Sequence, residues 1–260
     1  MSALYTIWLR DLTRFLRNRS RIVTSLAQPL LYLAIFGSGL SSLLSGTASI
    51  GGVSFTAFVY PGVIGLTIMF TALFTAISVV YDREFGFLKE VLVSPAPRLA
   101  VALGKVASGS TIALLQGVLT LPLAWLLGLP LTLGQVAQLI AIMAVLAAVC
   151  TALGLLLSTR LHGIEGYNVV INFLMMPLFL LSGALFPLAG LPAWMNVLVR
   201  ANPMAYATDA LRQVALAATA PAEFLAASRL HPWSVDGLVL LGFFVLFLVP
   251  AVRAFSKQEG

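Results

Sequence analysis

Runs of about 20 apolar residues, the length of helix that crosses the hydrocarbon core of a bilayer, recur along this chain and limit what it can fold into. They cover residues 23–44, 57–80, 101–127, 133–157, 167–186 and 235–252. Their spacing predicts an all-α integral membrane protein with six transmembrane helices, organised as a single domain over residues 1–260. With 60% hydrophobic and only 9% charged residues, no stretch has the mixed composition of a soluble domain.

The few charges are unevenly placed. Arg10, Arg14, Arg17, Arg19, Arg21, Arg83, Lys89, Arg98, Lys105, Arg160, Arg253 and Lys257 fall at alternate ends of the runs, on one side; only Arg200, Arg212 and Arg229 fall on the other. Basic residues are retained on cytoplasmic loops, so the expectation is a multi-pass protein of the inner (plasma) membrane with both termini in the cytoplasm. The net charge of +6 then reflects topology and not nucleic acid, because the basic residues flank apolar runs. The first run is longer than a signal-peptide core and is expected to stay uncleaved.

Residues 1–22 precede any span and read as an interfacial helix. At helical pitch Arg10, Arg14, Arg17 and Arg21 share one sector, and Leu4, Trp8, Leu12 and Phe15 another. A plain positively charged anchor is the alternative. Cys150 lies within the fourth run and reads as a small apolar filler. His162 and His231 fall on opposite sides of the membrane, so no shared metal site is expected.

Several energy sources are excluded by expectation. The expectation is that no Asp, Glu, Lys, Arg or His falls within any of the spans as drawn, hence no proton relay. Gly104-Lys105 is followed by Val106 and Ala107 and lacks the leading glycine of a phosphate-binding loop, so no ATP site of that type is expected. Without convergent acid, base or nucleophile the chain does not read as an enzyme.

Charge concentrates instead in residues 81–98, which carry Asp82, Arg83, Glu84, Lys89, Glu90 and Arg98. Phe85, Leu88 and Leu92 recur there at i, i+3 and i+7, and Pro95 and Pro97 stop the helix. Periodicity alone leaves open a docking helix for a soluble partner or a solvated loop.

The segment YDREFGFLKEVLVSPAPRLAVALGKV resembles the stretch of ABC-2-type permeases in which an acidic-basic-Glu-x-Gly run continues to a Ser-Pro or Thr-Pro pair and a Gly-Lys. FLLSGALFPLAGLPAW and ANPMAYATDALRQ are similar to that family's SG-x-x-FP, LP-x-W and NP-x-x-Y-x-x-D-x-x-R patterns. The daunorubicin-resistance and nodulation-factor exporter branch looks nearest. The resemblance implies the permease half of an ATP-binding cassette exporter, paired with a second permease chain, identical or related. Two copies of a separate ABC ATPase subunit would bind MgATP, and this chain would bind no cofactor.

By the same resemblance Asp82, Arg83, Glu84, Phe85, Gly86, Leu88, Lys89, Glu90 and Leu92 form a coupling helix seated in the ATPase. Arg160, His162 and Glu165 form a second cytoplasmic contact. Residues 187–233 form an outer region with a re-entrant helix pair carrying Trp194, Asn202, Pro203, Tyr206, Asp209 and Arg212. Asn202-Pro203 is also a good N-cap and first-turn pair on its own chemistry, and Asp209 and Arg212 are spaced to pair on one helix face.

Within the spans, Thr67, Thr71, Thr75 and Ser78 form a hydroxyl row, and Asn168 and Asn172 lie one turn apart. They either line a pathway or serve as back-bonded and interhelical polar groups. The reading that follows is an exporter of a hydrophobic or amphiphilic compound, drug or lipid-like. Its alternatives are export of a lipid-linked glycan or polysaccharide, and a non-transporting membrane module or channel that docks a soluble regulator.

Overall fold

The computed structural model describes residues 3–18, 27, 31, 33–35, 49–50, 52–85, 97–161, 163–188 and 191–257. Most of the first expected span, residues 86–96 of the charged stretch, and His162 lie outside the described residues. Among those described the fold is helical apart from one antiparallel strand pair, β1 (Ser49–Ile50) with β2 (Val53–Ser54). The helices are α1 (Ala3–Arg17), α2 (Phe55–Glu84), α3 (Arg98–Leu119), α4 (Leu123–Leu126), α5 (Leu133–Arg160), α6 (Ile164–Leu180), α7 (Ala193–Arg200), α8 (Pro203–Ala215), α9 (Ala222–Ser228) and α10 (Trp233–Lys257).

Helix starts follow local chemistry. Ser54 Oγ accepts the Ala57 N–H at 3.3 Å to open α2. Thr132 and Gln135 form a reciprocal capping box at the head of α5, with the Thr132 N–H donating to Gln135 Oε1 at 2.8 Å.

Four stretches are long and apolar enough to cross a membrane: Phe55–Glu84, Arg98–Leu126, Leu133–Arg160 and Ala222–Ser256. The other two expected spans differ. The run at 23–44 lies largely outside the described residues. The run at 167–186 becomes the 17-residue α6, which ends before the expected Phe186. There Gly183 takes a left-handed φ of 73°, and Ser182 Oγ donates to the Phe179 carbonyl at 2.6 Å, so the chain turns out of the helix. The third span is also interrupted. At the break the Thr120 and Leu121 carbonyls accept the Leu123 and Ala124 N–H groups, and the buried Tyr60 hydroxyl finds its own partner by donating to the same pair at 3.2 and 3.3 Å.

The expectation of charge-free spans is overturned. Lys105 and Asp236 fall inside the third and sixth runs and are 7% and 0% exposed. Each is retained because it has polar company, described below.

At the centre stands α5, packed against α2, α3, α8 and α10. Small residues permit the closest approach: a Cβ on Gly154 would stand 2.7 Å from Ala76 Cβ of α2. The Tyr167 hydroxyl of α6 donates to the Leu73 carbonyl at 2.8 Å and fixes α6 on α2. By contrast Leu238, Val245 and Leu246 of α10 face outward, where lipid is their natural solvent.

Candidate functional site

Where α1 meets α2 and α3, the structure forms a half-open cavity of about 590 Å³. Helix α1 contributes Asp11, Arg14 and Phe15; α2 contributes Phe74, Thr75, Ile77, Ser78, Tyr81 and Asp82; Ile112 closes it from α3. One wall is thus charged and hydroxylated, and the others are aromatic and aliphatic.

The cavity exists because α1 is docked on α3 and does not lie in lipid on all its apolar side. A Cβ on Gly104 would stand 3.2 Å from the Leu4 carbonyl and 3.3 Å from Ile7 Cβ, so glycine lets α1 approach closely. Trp8 donates its indole N–H to Thr111 Oγ1 at 3.1 Å. Lys105 Nζ then bridges two carboxylates, at 2.7 Å from Asp82 Oδ2 and 3.2 Å from Asp11 Oδ2. Arg10 lies 2.9 Å from Asp11 and 3.6 Å from Asp82, and Ser108 Oγ donates to Asp11 Oδ2 at 3.2 Å. Two carboxylates face two cations, so the cluster is close to charge-neutral. Gly104-Lys105, no phosphate loop, is the seat of the N-terminal helix. Asp11 was not among the residues singled out from sequence; its signal is that it is the one acidic residue in an arginine-rich amphipathic segment.

The coupling candidates divide. Asp82 belongs to this network, whereas Arg83 donates to the Ser158 and Leu161 carbonyls at 3.3 and 2.6 Å and covers the C-terminal end of α5. Glu84 is the last residue of α2. Phe85 stands 76% exposed, its ring stacked on Tyr81 with centroids 6.0 Å apart. Gly86, Leu88, Lys89, Glu90 and Leu92 lie outside the described residues, as does His162. Arg160 and Glu165 are exposed at the same end of the bundle.

The hydroxyl row divides as well. Thr67 is buried and donates back to the Val63 carbonyl at 2.9 Å, so it reads as a helix-internal group. Thr71 is half-buried, and only Thr75 and Ser78 line the cavity. Asn168 and Asn172 sit elsewhere, on α6, where the Asn172 amide donates to the Asn168 carbonyl at 2.8 Å beside exposed Phe173 and Met176.

At the opposite end α8 is buried along all its length except Gln213. Asn202 Oδ1 accepts the Met204 N–H at 2.9 Å and Pro203 opens the helix, as their chemistry demands. Tyr206 donates to the Arg200 carbonyl at 3.0 Å, and Trp194 of α7 is exposed.

The expected Asp209–Arg212 ion pair does not form. Arg212 instead donates to the Gly183 carbonyl at 2.5 Å and lies 3.9 Å over the Phe58 ring. Asp209 accepts the Leu230 N–H at 2.7 Å and the Gln213 amide at 3.0 Å, and the same amide reaches Asp236 at 3.4 Å. Burial pushes the Asp209 carboxyl above its usual range, against the opposing pull of the Leu230 N–H and of Arg212. Gln213 is one turn from Asp209 on α8, whereas His231 and Asp236 join this cluster only through the packing of α10 and the turn before it on α8, which no spacing within the sequence reveals.

Known proteins bear on this geometry. The putative transport permease ycf38 of Pyropia yezoensis is 28% identical over 201 residues, covering 75% of this chain and 68% of the relative. The inner membrane transport permease YadH of Escherichia coli (strain K12) is 28% identical over 213 residues, 81% of each chain. The probable multidrug ABC transporter permease YbhR of the same strain is 29% identical over 161 residues, 61% of this chain and 44% of the relative. The family model for the ABC-2 type transporter matches residues 2–216, from α1 to the end of α8, and the chain belongs to that family.

Proposed function

We propose that this chain is the permease subunit of an ATP-driven exporter that moves a hydrophobic or amphiphilic compound from the cytoplasm or inner leaflet outward. Family membership supports a transport permease that works with an ABC ATPase. The observation that carries the finer reading is the cavity. Its polar wall of Asp11, Asp82, Thr75 and Ser78 meets the rings of Phe15, Phe74 and Tyr81, a pairing that suits a molecule with one polar end. A wholly hydrophilic cargo would leave that apolar wall without a partner and lose its own water. The name of YbhR, a probable multidrug permease, is in keeping with a lipophilic cargo.

In this reading the chain is one transmembrane domain with six spans, the run at 23–44 and α6 completing the four long stretches. Both termini and the cavity face the cytoplasm, with α1 at the interface, and α7 and α8 form the re-entrant outer pair. Residues 81–98 hold the coupling helix, the Arg160 to Glu165 turn is a smaller contact, and MgATP binds only to the two ATPase subunits. The second permease copy covers the α6 face that carries Asn168 and Asn172, since an exposed amide is poorly placed against lipid.

The test fills the cavity. Thr75→Trp is expected to cut ATP-driven transport of lipophilic compounds at least tenfold, about 1.4 kcal/mol, while ATPase co-purification persists. Unchanged transport would remove the cavity from the pathway. Transport of a lipid-linked glycan in preference to every lipophilic compound tried would replace the cargo assigned here.

A further inference from the structure

The Lys105 cluster is unusual for a contact that only needs to hold two helices together. A buried apolar residue would seat α1 on α3 without the cost of desolvating a cation and two carboxylates, and such replacements are often neutral or stabilising. Leu4, Ile7 and Trp8 already supply an apolar and hydrogen-bonded seat at Gly104 and Thr111. The ionic part does something the apolar part does not: it joins α1 to α2. Asp11 lies on α1, Lys105 on α3 and Asp82 in the last turn of α2, one turn before exposed Phe85.

Asp11 and Asp82 are also walls of the cavity. Lys105, at 7% exposure, is held behind them by both carboxylates and by Ser78 Oγ at 3.4 Å. Any displacement of the foot of α2 therefore either drags α1 with it, through Lys105 and the longer, more exposed Arg10–Asp82 contact, or breaks a buried ion pair. A buried network of this kind favours discrete arrangements over gradual slippage.

We propose that Lys105 is a positioning residue that makes α1 and the foot of α2 move as one cavity wall, so that engagement of residues 81–98 by the ATPase opens or closes the cavity. This rests on the permease reading above and adds to it the residue that conveys the movement.

The test uses the full complex of this chain with its ATPase subunit, in a Cys150→Ser background with Thr75→Cys as a reporter inside the cavity. Maleimide labelling is compared between the nucleotide-free state and the state trapped with MgADP and vanadate. With Lys105 present the labelling rate is expected to change about fivefold or more between the two states, the lower end of ordinary coupling between sites. Lys105→Met should abolish that change and leave assembly and basal ATP hydrolysis in place. Lys105→Arg, which keeps the charge, should restore it, a rescue that a purely packing role would not produce.

Persistence of the nucleotide-dependent change in Lys105→Met overturns the proposal. Should Lys105→Met fail to assemble, Asp11→Asn removes one charge at nearly constant volume and should likewise abolish the nucleotide-dependent change in labelling, and retained nucleotide dependence there is equally fatal. A Cys150→Ser complex that transports, combined with labelling that never responds to nucleotide, sinks the coupling role of Lys105 alone. A Cys150→Ser complex that hydrolyses ATP and transports nothing sinks the permease reading instead.

Discussion

Phe85→Asp combined with Leu88→Asp is expected to release the ABC ATPase from the membrane subunit while leaving insertion intact. Phe85 stands 76% exposed just beyond the end of α2, supported from behind by the Tyr81 ring. An exposed aromatic at the head of the charged stretch 81–98 fits the description of an interface anchor. Loss of a desolvated anchor pair costs about 2–4 kcal/mol, which weakens binding by roughly 30- to 1,000-fold. The measurement is recovery of the ATPase with affinity-purified permease. Binding is the proper readout because Phe85 also borders the cavity, where a change in transport would have two causes. Undiminished recovery would show that the ATPase grips some other surface.

Arg212→Ala is expected to destabilise the opposite end of the bundle by about 3 kcal/mol, the combined scale of a charged hydrogen bond and a desolvated cation–π contact. The guanidinium is 2% exposed, donates to the Gly183 carbonyl and lies over Phe58, so it joins α8 to the turn after α6 and to the head of α2. Its removal also leaves the buried Asp209 carboxyl with less positive charge nearby. Arg212→Lys should recover only part of the loss, because an ammonium has no planar face to lay on the ring. Thermal unfolding of the detergent-solubilised protein reads both variants, and equal midpoints for Arg212→Ala and the parent would contradict this account of the cluster.

Much of the helical framework is legible in the sequence, since apolar run length and capping chemistry act locally. Thr132 with Gln135 and Asn202 with Pro203 mark their helix starts without any help from tertiary structure. The end of α6 is less legible, because the apolar run continues to Phe186 while the backbone turns at Gly183. Side-chain roles at the sites are legible only where a partner lies on the same helix. Thr67 bonds its own α2, as a buried threonine often does.

Asp209 and Arg212 share a face of α8, yet each finds a better partner on another element, so spacing suggested a pair that packing does not make. Lys105 shows the same limit most clearly. Read along the chain it is a cation near the end of a span; in the fold it is the meeting point of α1, α2 and α3.

Transport by purified components tests the central claim most directly. This chain and its ATPase subunit, reconstituted together into liposomes, should move a fluorescent lipophilic compound across the bilayer only when MgATP is supplied on the side that bears residues 81–98, and only when both chains are present. Movement at the same rate without the ATPase would make the chain a channel, and ATP hydrolysis by an assembled complex that moves neither lipophile nor glycolipid would contradict its assignment as the transporting subunit.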